Sequence, residues 1–325
     1  MNDTRAVAIE PAVSAHGLTK RYGDVLAVDG LELELRAGQF FGLLGPNGSG
    51  KTTTIHMLST LIRPSAGTAV VAGHDVVRDP VAVRASIGLV FQESALDRTL
   101  SVSENLRFAG LLYDLPAAII EQRSRELLEL FDLNDKRNRP VGALSGGMRR
   151  ALDIVRGVIH RPRILFLDEP TIGLDLPNRR AIWRFIERLR AGSGVTVLLT
   201  THYLEEADGC DQVAFIKSGR IVERGAPRQL VQALGQHIVE IEASGLEQLV
   251  SALEPRLGPA LRDGDLAMFC HADEDTSAVA AVQAELGSRL SALRIRRPNL
   301  NDVFLWVNSR HAPAAAQGPR RGESH

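Results

Sequence analysis

The sequence predicts an α/β fold: a mostly parallel sheet covered by helices, followed by a small α+β module. The first observation is that segments 164–168 (ILFLD) and 195–202 (VTVLLTTH) are nearly continuous apolar runs, as in strands buried on both faces. The second is that amphipathic helical patterns lie between such runs. The third is a change of pattern after about Gly235, where short strands and helices alternate. We therefore expect a large main unit and a smaller second one.

Local patterns predict the elements of the main unit. Segment 31–35 alternates leucine with polar residues, which predicts a strand with one buried and one solvent-exposed face. Helical patterns cover four ranges: 51–61, 115–130, 148–159 and 179–190. In the third range one side is apolar, whereas Arg149, Arg150 and Arg156 face away from that side. These arginines are expected on the polar side of that helix.

The C-terminal part predicts the order β-α-β-β-α-β, a split-βαβ module. Its segments are 237–243, 246–257, a hairpin over 261–270, 276–290 and 290–297. The Asp263-Gly264 pair is a typical hairpin turn. The predicted domains are therefore 12–235 and 236–309. The tails 1–11 and 310–325 are expected to be disordered, because they lack an apolar pattern.

Composition excludes several classes of protein. Thirty-eight basic and 39 acidic residues leave a formal net charge of -1, which argues against a protein that coats nucleic acid. Cys210 and Cys270 lack metal-ligand spacing, so reduced, buried thiols are expected. The first residues lack the apolar core of a secretory signal. No apolar run approaches the about 20 residues that cross a bilayer, so a cytoplasmic location is expected.

A glycine-rich loop follows the apolar segment QFFGLL and fits the pattern G-x-x-x-x-G-K-[ST]. Its residues are Gly45, Pro46, Asn47, Gly48, Ser49, Gly50, Lys51 and Thr52, followed by Thr53. The glycines allow backbone N–H groups to surround a phosphate, and the helix beginning at Lys51 adds its positive end. Lys51 would reach the β- and γ-phosphates, and the Thr52 hydroxyl would bind Mg²⁺. The alternative is an ordinary glycine-rich turn with a surface lysine.

Two acidic residues, Asp168 and Glu169, end the buried strand ILFLD. Beside a phosphate-binding loop, Asp168 is placed to hold Mg²⁺, usually through water. Glu169 would then accept a proton from the attacking water. Without that loop, a turn or a helix cap would explain the pair equally well.

Two other predicted strands end in polar residues of the same kind. Gln92 ends IGLVFQ and His202 ends VTVLLTTH. An amide suits a Mg²⁺ ligand and a contact to the attacking water, and a histidine can bond the γ-phosphate and hold Glu169. Taken alone, a glutamine or a histidine at the end of a strand more often has a structural role. Ligands of open α/β sheets gather at the carboxyl ends of strands, so we expect these side chains to meet.

Taken together, the motifs resemble the nucleotide-binding subunit of an ATP-binding cassette (ABC) transporter. GPNGSGKTT resembles its Walker A loop, VFQ its Q-loop, LSGGM (144–148) its signature and ILFLDEP its Walker B strand. GLD (173–175) resembles the D-loop, and TTH (200–202) contains the switch histidine. RYGD, with Tyr22, resembles the loop that stacks on adenine. The order and spacing agree over about residues 12–235.

This resemblance implies a P-loop NTPase fold with an antiparallel β subdomain and a helical subdomain over about 93–160. It also implies ATP and Mg²⁺ as ligands, with the nucleotide bound by Tyr22 and residues 45–53, including Thr53. It further implies a head-to-tail homodimer. In such a dimer, Ser145, Gly146 and Gly147 of one chain, with its Asp175, complete the nucleotide site of the other. One pocket would thus be divided between two subunits. The alternative for residues 145–147 is an unrelated helix cap.

Two phrases resemble the drug- and polyketide-exporting branch of the family, which includes daunorubicin-resistance and nodulation-factor exporters. One is LSGGMRR, where Met148 replaces the commonest glutamine, and the other is PNLNDVFL (298–305). The branch implies an ATPase that energises export of a drug-, polyketide- or lipid-like substrate through a separate integral-membrane permease. The permease would dock near Gln92–Leu100 and hold the chain on the inner face of the cell membrane. The phrase PNLNDVFL could also serve packing alone.

Two alternatives keep the cassette but change the function. The first is a soluble ATP-driven switch on ribosomes or DNA. Ribosome-acting relatives usually carry two cassettes, and DNA-repair relatives interrupt the cassette with long coiled coils, whereas this chain has one signature and a short stretch between Gln92 and Leu144. The second is a regulator without turnover, which is disfavoured because Lys51, Glu169 and His202 are all present. No nucleic-acid partner is expected.

Overall fold

The computed structural model describes residues 10–243 and 245–310, so the predicted tails lie almost entirely outside the described residues. The chain forms two compact units that divide after Ile221. The boundary predicted after Gly235 stays a prediction. The compact units divide earlier because helix α7 (Pro227–Gln232) packs on the last helix, α10 (Leu300–Arg310).

A six-stranded sheet, five of whose strands lie in the first unit, confirms the predicted α/β core. The strands before residue 226 are β1 (Val13–Tyr22), β2 (Val25–Leu35), β3 (Phe40–Leu44), β4 (Ala66–Val71), β5 (His74–Asp75), β6 (Ile87–Val90), β7 (Ile164–Asp168), β8 (Thr196–Thr201), β9 (Gln212–Lys217) and β10 (Arg220–Gly225). The sheet order is β10-β9-β3-β8-β7-β6, and the pairs from β9 to β6 are parallel. Every residue of β3, β7 and β8 is buried, as their continuous apolar runs predict.

Helices of the first unit confirm the four predicted helical ranges, with shifted ends. They are α1 (Lys51–Leu58), α2 (Pro80–Ser86), α3 (Val102–Leu111), α4 (Ala117–Glu129), α5 (Gly146–Val158) and α6 (Leu176–Ser193). Helix α1 ends before its predicted end at residue 61, since Thr60 adopts a left-handed backbone with φ 66°. Helices α3, α4 and α5 share an apolar cluster that includes Leu106, Leu128 and Leu152. This cluster lies within the predicted helical subdomain.

A second, antiparallel sheet belongs to the same unit. Its order is β2-β1-β4-β5, and β1 pairs antiparallel with both β2 and β4. The leucines of segment 31–35 are buried and the glutamates between them exposed, which confirms the half-buried strand predicted there.

No helix among residues 10–243 and 245–310 is both long and apolar enough to span a membrane.

The second unit confirms the predicted β-α-β-β-α-β order. Its elements are β11 (His237–Ala243), α8 (Leu246–Leu257), β12 (Ala260–Asp263), β13 (Leu266–His271), α9 (Ser277–Leu286) and β14 (Leu290–Arg296). The sheet order is β12-β13-β11-β14, with every pair antiparallel. One face packs against α8 and α9 through residues such as Ile241 and Phe269. The opposite face, with Ile238 and Met268, packs against Trp306 of α10.

An ion-pair network explains the phrase PNLNDVFL. Arg296 donates two hydrogen bonds to the buried Asp302 carboxylate, both at 2.7 Å, and a third to Glu240 Oε1 at 2.8 Å. The backbone N–H of Asn299 also donates to Asp302, at 2.8 Å. Val303 on the same helix is buried. The phrase therefore attaches α10 to the sheet of the second unit, as the packing alternative predicts.

Replacing Asp302 with Asn should lower the free energy of unfolding by about 2 kcal/mol, because hydrogen bonds to charged groups are lost. Urea denaturation of the full chain, followed by Trp306 fluorescence in a Trp183→Phe background, measures this change. Asp265→Asn is the matched control, since Asp265 is an exposed carboxylate of the same unit. Equal midpoints for the two variants would contradict the assigned role of Asp302.

Candidate functional site

The phosphate-binding loop joins the buried end of β3 to the first turn of α1. Gly50 has φ 108°, and a Cβ atom there would lie 2.6 Å from the Ala27 carbonyl oxygen, so only glycine fits. Ser49 is buried, and its hydroxyl has no hydrogen-bond partner among the described residues. An unpaired polar atom buried in this loop is a chemical fit for phosphate. Pro46, Asn47 and Gly48 are exposed at the tip of the loop.

Lys51 lies at the centre of the site. Its ammonium donates to the carbonyl oxygens of Gly45 at 2.9 Å and Pro46 at 3.1 Å, and Nζ lies 3.5 Å from Glu169 Oε1. Burial lowers the pKa of Lys51, and the nearby Glu169 carboxylate opposes that shift. The buried ammonium thus connects the loop to the predicted catalytic base.

Asp168 ends β7 with a carboxylate that is 2% exposed. Its Oδ1 accepts hydrogen bonds from Thr52 Oγ1 at 3.1 Å and Thr200 Oγ1 at 2.6 Å. The structure therefore brings together the predicted metal residues Thr52 and Asp168. A hydroxyl and a carboxylate side by side are the oxygen ligands that Mg²⁺ prefers, so these residues fit the ion.

Glu169 occupies an unusual backbone conformation, with φ 46°. Its N–H donates to the carbonyl oxygen and the hydroxyl of Thr200, both at 3.1 Å. Its carboxylate is buried, with Oε2 3.2 Å from His202 Nδ1. The two atoms lie within ion-pair distance but are not aligned as a hydrogen bond. A left-handed backbone at a glutamate is a local strain that often marks a functional position.

The structure does not bring the Gln92 side chain into this cluster. Gln92 follows β6, which pairs with β7 in parallel, so it lies at the predicted edge of the sheet. Its side chain is exposed, and no hydrogen bond joins it to residues 10–243 or 245–310. Its predicted roles as a Mg²⁺ ligand and as a contact to the attacking water stay predictions.

The predicted adenine contact, Tyr22, lies at the end of β1 beside a tight turn to β2, where it pairs with Val25. Its ring is 47% exposed, and Lys20 Nζ lies 5.0 Å from the ring centroid. An exposed ring with a neighbouring cation offers a flat apolar surface. Stacking on adenine stays a prediction, as does the contact assigned to Thr53.

The signature residues open helix α5. Ser145 is the N-cap, and its hydroxyl oxygen accepts from the N–H of Met148 at 3.3 Å. Ser145 and Gly146 are exposed, whereas Gly147 is buried against Asn178, whose side chain lies 2.3 Å from where a Cβ of residue 147 would stand. Asn178 in turn donates to Asp175 Oδ1 at 2.6 Å. The predicted signature and D-loop residues are therefore joined within one chain.

Sequence reasoning missed the role of Arg150. The side chain is 7% exposed and donates to the Pro170 carbonyl at 2.6 Å, to those of Asp168 at 3.2 Å and Glu169 at 3.1 Å, and to that of Phe91. Burial lowers the pKa of Arg150. The helical pattern placed Arg150 on the polar side of α5. That side faces the turn that carries Asp168 and Glu169, which no sequence signal shows.

Glu206 is a second residue that sequence reasoning missed. It is buried and accepts hydrogen bonds from Thr171 and, at 2.6 Å, from Thr201. Burial raises the pKa of Glu206, and the two threonine hydroxyls oppose that shift. Thr171 follows Glu169 by two positions and Thr201 precedes His202, so Glu206 joins the two loops that carry these residues.

Comparison with known proteins agrees with this geometry. Residues 28–172 match the sequence pattern of the family described as ABC transporter. The Nod factor export ATP-binding protein I of Ralstonia nicotianae is 42% identical, covering 92% of this chain and 94% of that protein. The daunorubicin resistance ATP-binding protein DrrA3 of Streptomyces coeruleorubidus is also 42% identical, covering 92% of this chain and 96% of that protein.

Solved structures share the fold of about two thirds of this chain. The structure of an ATP binding subunit of an ABC transporter is 26% identical with a TM-score of 0.63, covering 68% of this chain and 92% of that chain. A dimeric, post-hydrolysis cassette, MJ0796 bound to ADP and Pi, is 25% identical with a TM-score of 0.61, covering 66% and 98%. Because full-length relatives match nearly the whole chain and the family's motifs meet at one sheet edge, the chain belongs to the ATP-binding subunits of ABC transporters, which are ATPases.

Proposed function

We propose that this chain binds and hydrolyses ATP to energise export of a drug-, polyketide- or lipid-like substrate through a separate membrane permease. The observation that carries the proposal is a cluster beside the phosphate-binding loop, in which the buried Lys51 and Glu169 meet the half-buried His202. Relatives named for Nod factor export and for daunorubicin resistance support the exporting direction and a role in drug resistance.

The chain's own residues account for the chemistry. Loop N–H groups and Lys51 bind the phosphates, and the positive end of α1 adds to the field. Glu169, held between Lys51 and His202, accepts a proton from the water that attacks the γ-phosphate. His202 keeps the carboxylate oriented and donates to a phosphate oxygen. A Mg²⁺ ion held by Thr52 and Asp168, with Gln92 as a further ligand, would neutralise charge on the phosphate oxygens.

We infer a head-to-tail homodimer for the complete site. The N-terminus of α5 presents exposed N–H groups at Ser145 and Gly146, which suit the γ-phosphate of a nucleotide bound by a second copy. Asp175 caps α6 beside them through Asn178 and would cross to the same neighbour. The dimeric cassette among the similar solved structures supports the assembly.

The permease is proposed to dock on the loop that begins at Gln92 and continues to Leu100. A cavity of about 200 Å³ lies beside the start of this loop and is lined by Leu61, Phe91, Ala95, Leu112 and Tyr113, among others. Leu112 is 63% exposed. A mostly apolar cavity, also lined by Arg84, Asp153 and Arg156, suits the apolar side of a partner helix with polar flanks. Such docking would hold the chain on the inner face of the membrane.

Purification of the tagged chain from its own membranes in mild detergent tests the function. We expect a multi-span membrane protein to co-purify, and the pair in vesicles should show ATP-dependent movement of an amphipathic drug. A Glu169→Gln chain should capture the same protein without supporting that movement. Co-purification of ribosomes or DNA instead would favour the switch alternative and overturn the proposal.

A further inference from the structure

The polar side of helix α5 contacts one short loop, residues 91–95, at three successive positions. Three charged residues of this helix are spaced three positions apart and therefore lie next to one another on its surface: Arg150, Asp153 and Arg156. Arg150 donates to the carbonyl of Phe91 and lies 3.5 Å from that of Gln92. The remaining two side chains reach the far end of the loop.

Asp153 and Arg156 hold both backbone groups of one residue, Ala95. The Ala95 N–H donates to Asp153 Oδ1 at 3.3 Å, and the Ala95 carbonyl accepts from the Arg156 guanidinium. Because both its N–H and its carbonyl are bonded to side chains of α5, Ala95 should move together with that helix.

Burying the Asp153 carboxylate costs free energy, so this residue is more than a solvated surface charge. The residue is 7% exposed, and its second oxygen, Oδ2, has no hydrogen-bond partner among the described residues. Burial raises the pKa of Asp153, and the Ser94 side chain and the charge of Arg150 oppose that shift. The fold of the helical cluster does not require this carboxylate, since the opposite side of α5 supplies the apolar contacts through Leu152 and Val155.

We propose that Asp153 and Arg156 are positioning residues that make loop 91–95 and helix α5 move as one body. The proposal rests on the proposed function, in which a permease contacts this loop. Helix α5 is a 13-residue rigid rod whose N-terminus carries Ser145 and Gly146. A displacement of Ala95 is therefore transmitted along α5 to the residues that complete the partner's nucleotide site.

Two readouts separate this proposal from a merely structural role. The first is ATP turnover of the purified chain, alone and with its permease in vesicles. Arg156→Ala should leave turnover of the chain alone within about twofold, while stimulation by the permease falls roughly 3- to 30-fold, the usual size of such coupling. Arg156→Lys keeps a donor for the Ala95 carbonyl and should restore stimulation. Arg125→Ala, at a 64% exposed side chain on α4, is the matched control.

The second readout needs no permease, because coupling between two sites is reciprocal. In a Glu169→Gln background, bound ATP should hold two chains together, with Ser145 of each chain contacting the nucleotide of the other. Hydrogen exchange in peptides covering 91–95 should then become slower. Adding Arg156→Ala should abolish that slowing, and adding Arg156→Lys should keep it.

The outcomes divide cleanly between the two proposals. Stimulation and exchange that are unchanged in Arg156→Ala would overturn the coupling role, as would an equal loss of basal and stimulated turnover. If ATP slows exchange in loop 91–95 in the manner expected but no membrane protein stimulates the wild-type chain, the coupling stands and the transport function fails.

Discussion

Replacing Glu169 with Gln is expected to lower the rate of ATP hydrolysis by roughly 10²–10⁴-fold, the usual contribution of a general base, while ATP binding persists. The carboxylate lies 3.5 Å from Lys51 Nζ and 3.2 Å from His202 Nδ1, so it is held in place before any water arrives. An amide of the same shape keeps these neighbours but cannot accept the proton. Binding is retained because the phosphate-binding loop is untouched.

Single-turnover release of phosphate and fluorescent-nucleotide titration measure the two quantities separately. Glu205→Gln is the matched control, since Glu205 is an exposed glutamate in the same unit. A Glu169→Gln chain that turns over ATP at the wild-type rate would remove Glu169 from the role of base. A chain that no longer binds ATP would place Glu169 in nucleotide binding instead.

Mixing a Lys51→Ala chain with a Gly146→Asp chain is expected to recover activity that neither has alone. In a head-to-tail pair of the two, one site combines both defects and the other is intact. Random pairing of equal amounts makes half of the pairs mixed, and one of the two sites in each mixed pair is intact, so about a quarter of the wild-type rate is restored. Each variant alone should be nearly inactive.

The Gly146→Asp substitution is chosen so that the chain itself tolerates it. A Cβ at residue 146 has no other heavy atom within 4 Å, and an acidic residue in the first turn favours a helix. Its carboxylate would instead repel the γ-phosphate held by the neighbouring chain. Circular dichroism checks that both variants fold, and cross-linking checks that mixed pairs form. Mixed pairs without recovered turnover would contradict the shared site.

Much of the site follows from the sequence because its residues stand at the ends of recognisable strands. Lys51 follows β3, Asp168 ends β7 and His202 comes directly after β8, and these strands are neighbours in the sheet. Parallel strands bring their carboxyl ends to one edge, so the cluster of Lys51, Glu169 and His202 could be predicted. The course of a loop after a strand has no such rule, and the placement of the Gln92 side chain was accordingly beyond prediction.

The residues that sequence reasoning missed act through tertiary contacts alone. Arg150 looks like any polar-side arginine, and its burial depends on how α5 crosses the ends of β6 and β7. Glu205 and Glu206 are adjacent and chemically identical, yet one is exposed and the other is buried between two threonine hydroxyls. No periodicity distinguishes them, because the short 3₁₀ turn at Leu204–Ala207 decides which one points inward.

The attachment of α10 by Asp302 has a consequence for shortened chains. A premature stop before residue 298 would remove Trp306, which packs on Ile238 and Met268. This apolar face of the sheet would then be exposed to water. Every residue assigned to the nucleotide would still be translated. We expect such a truncated product to be cleared by cellular proteases, so that the loss of transport would reflect missing protein rather than failed chemistry.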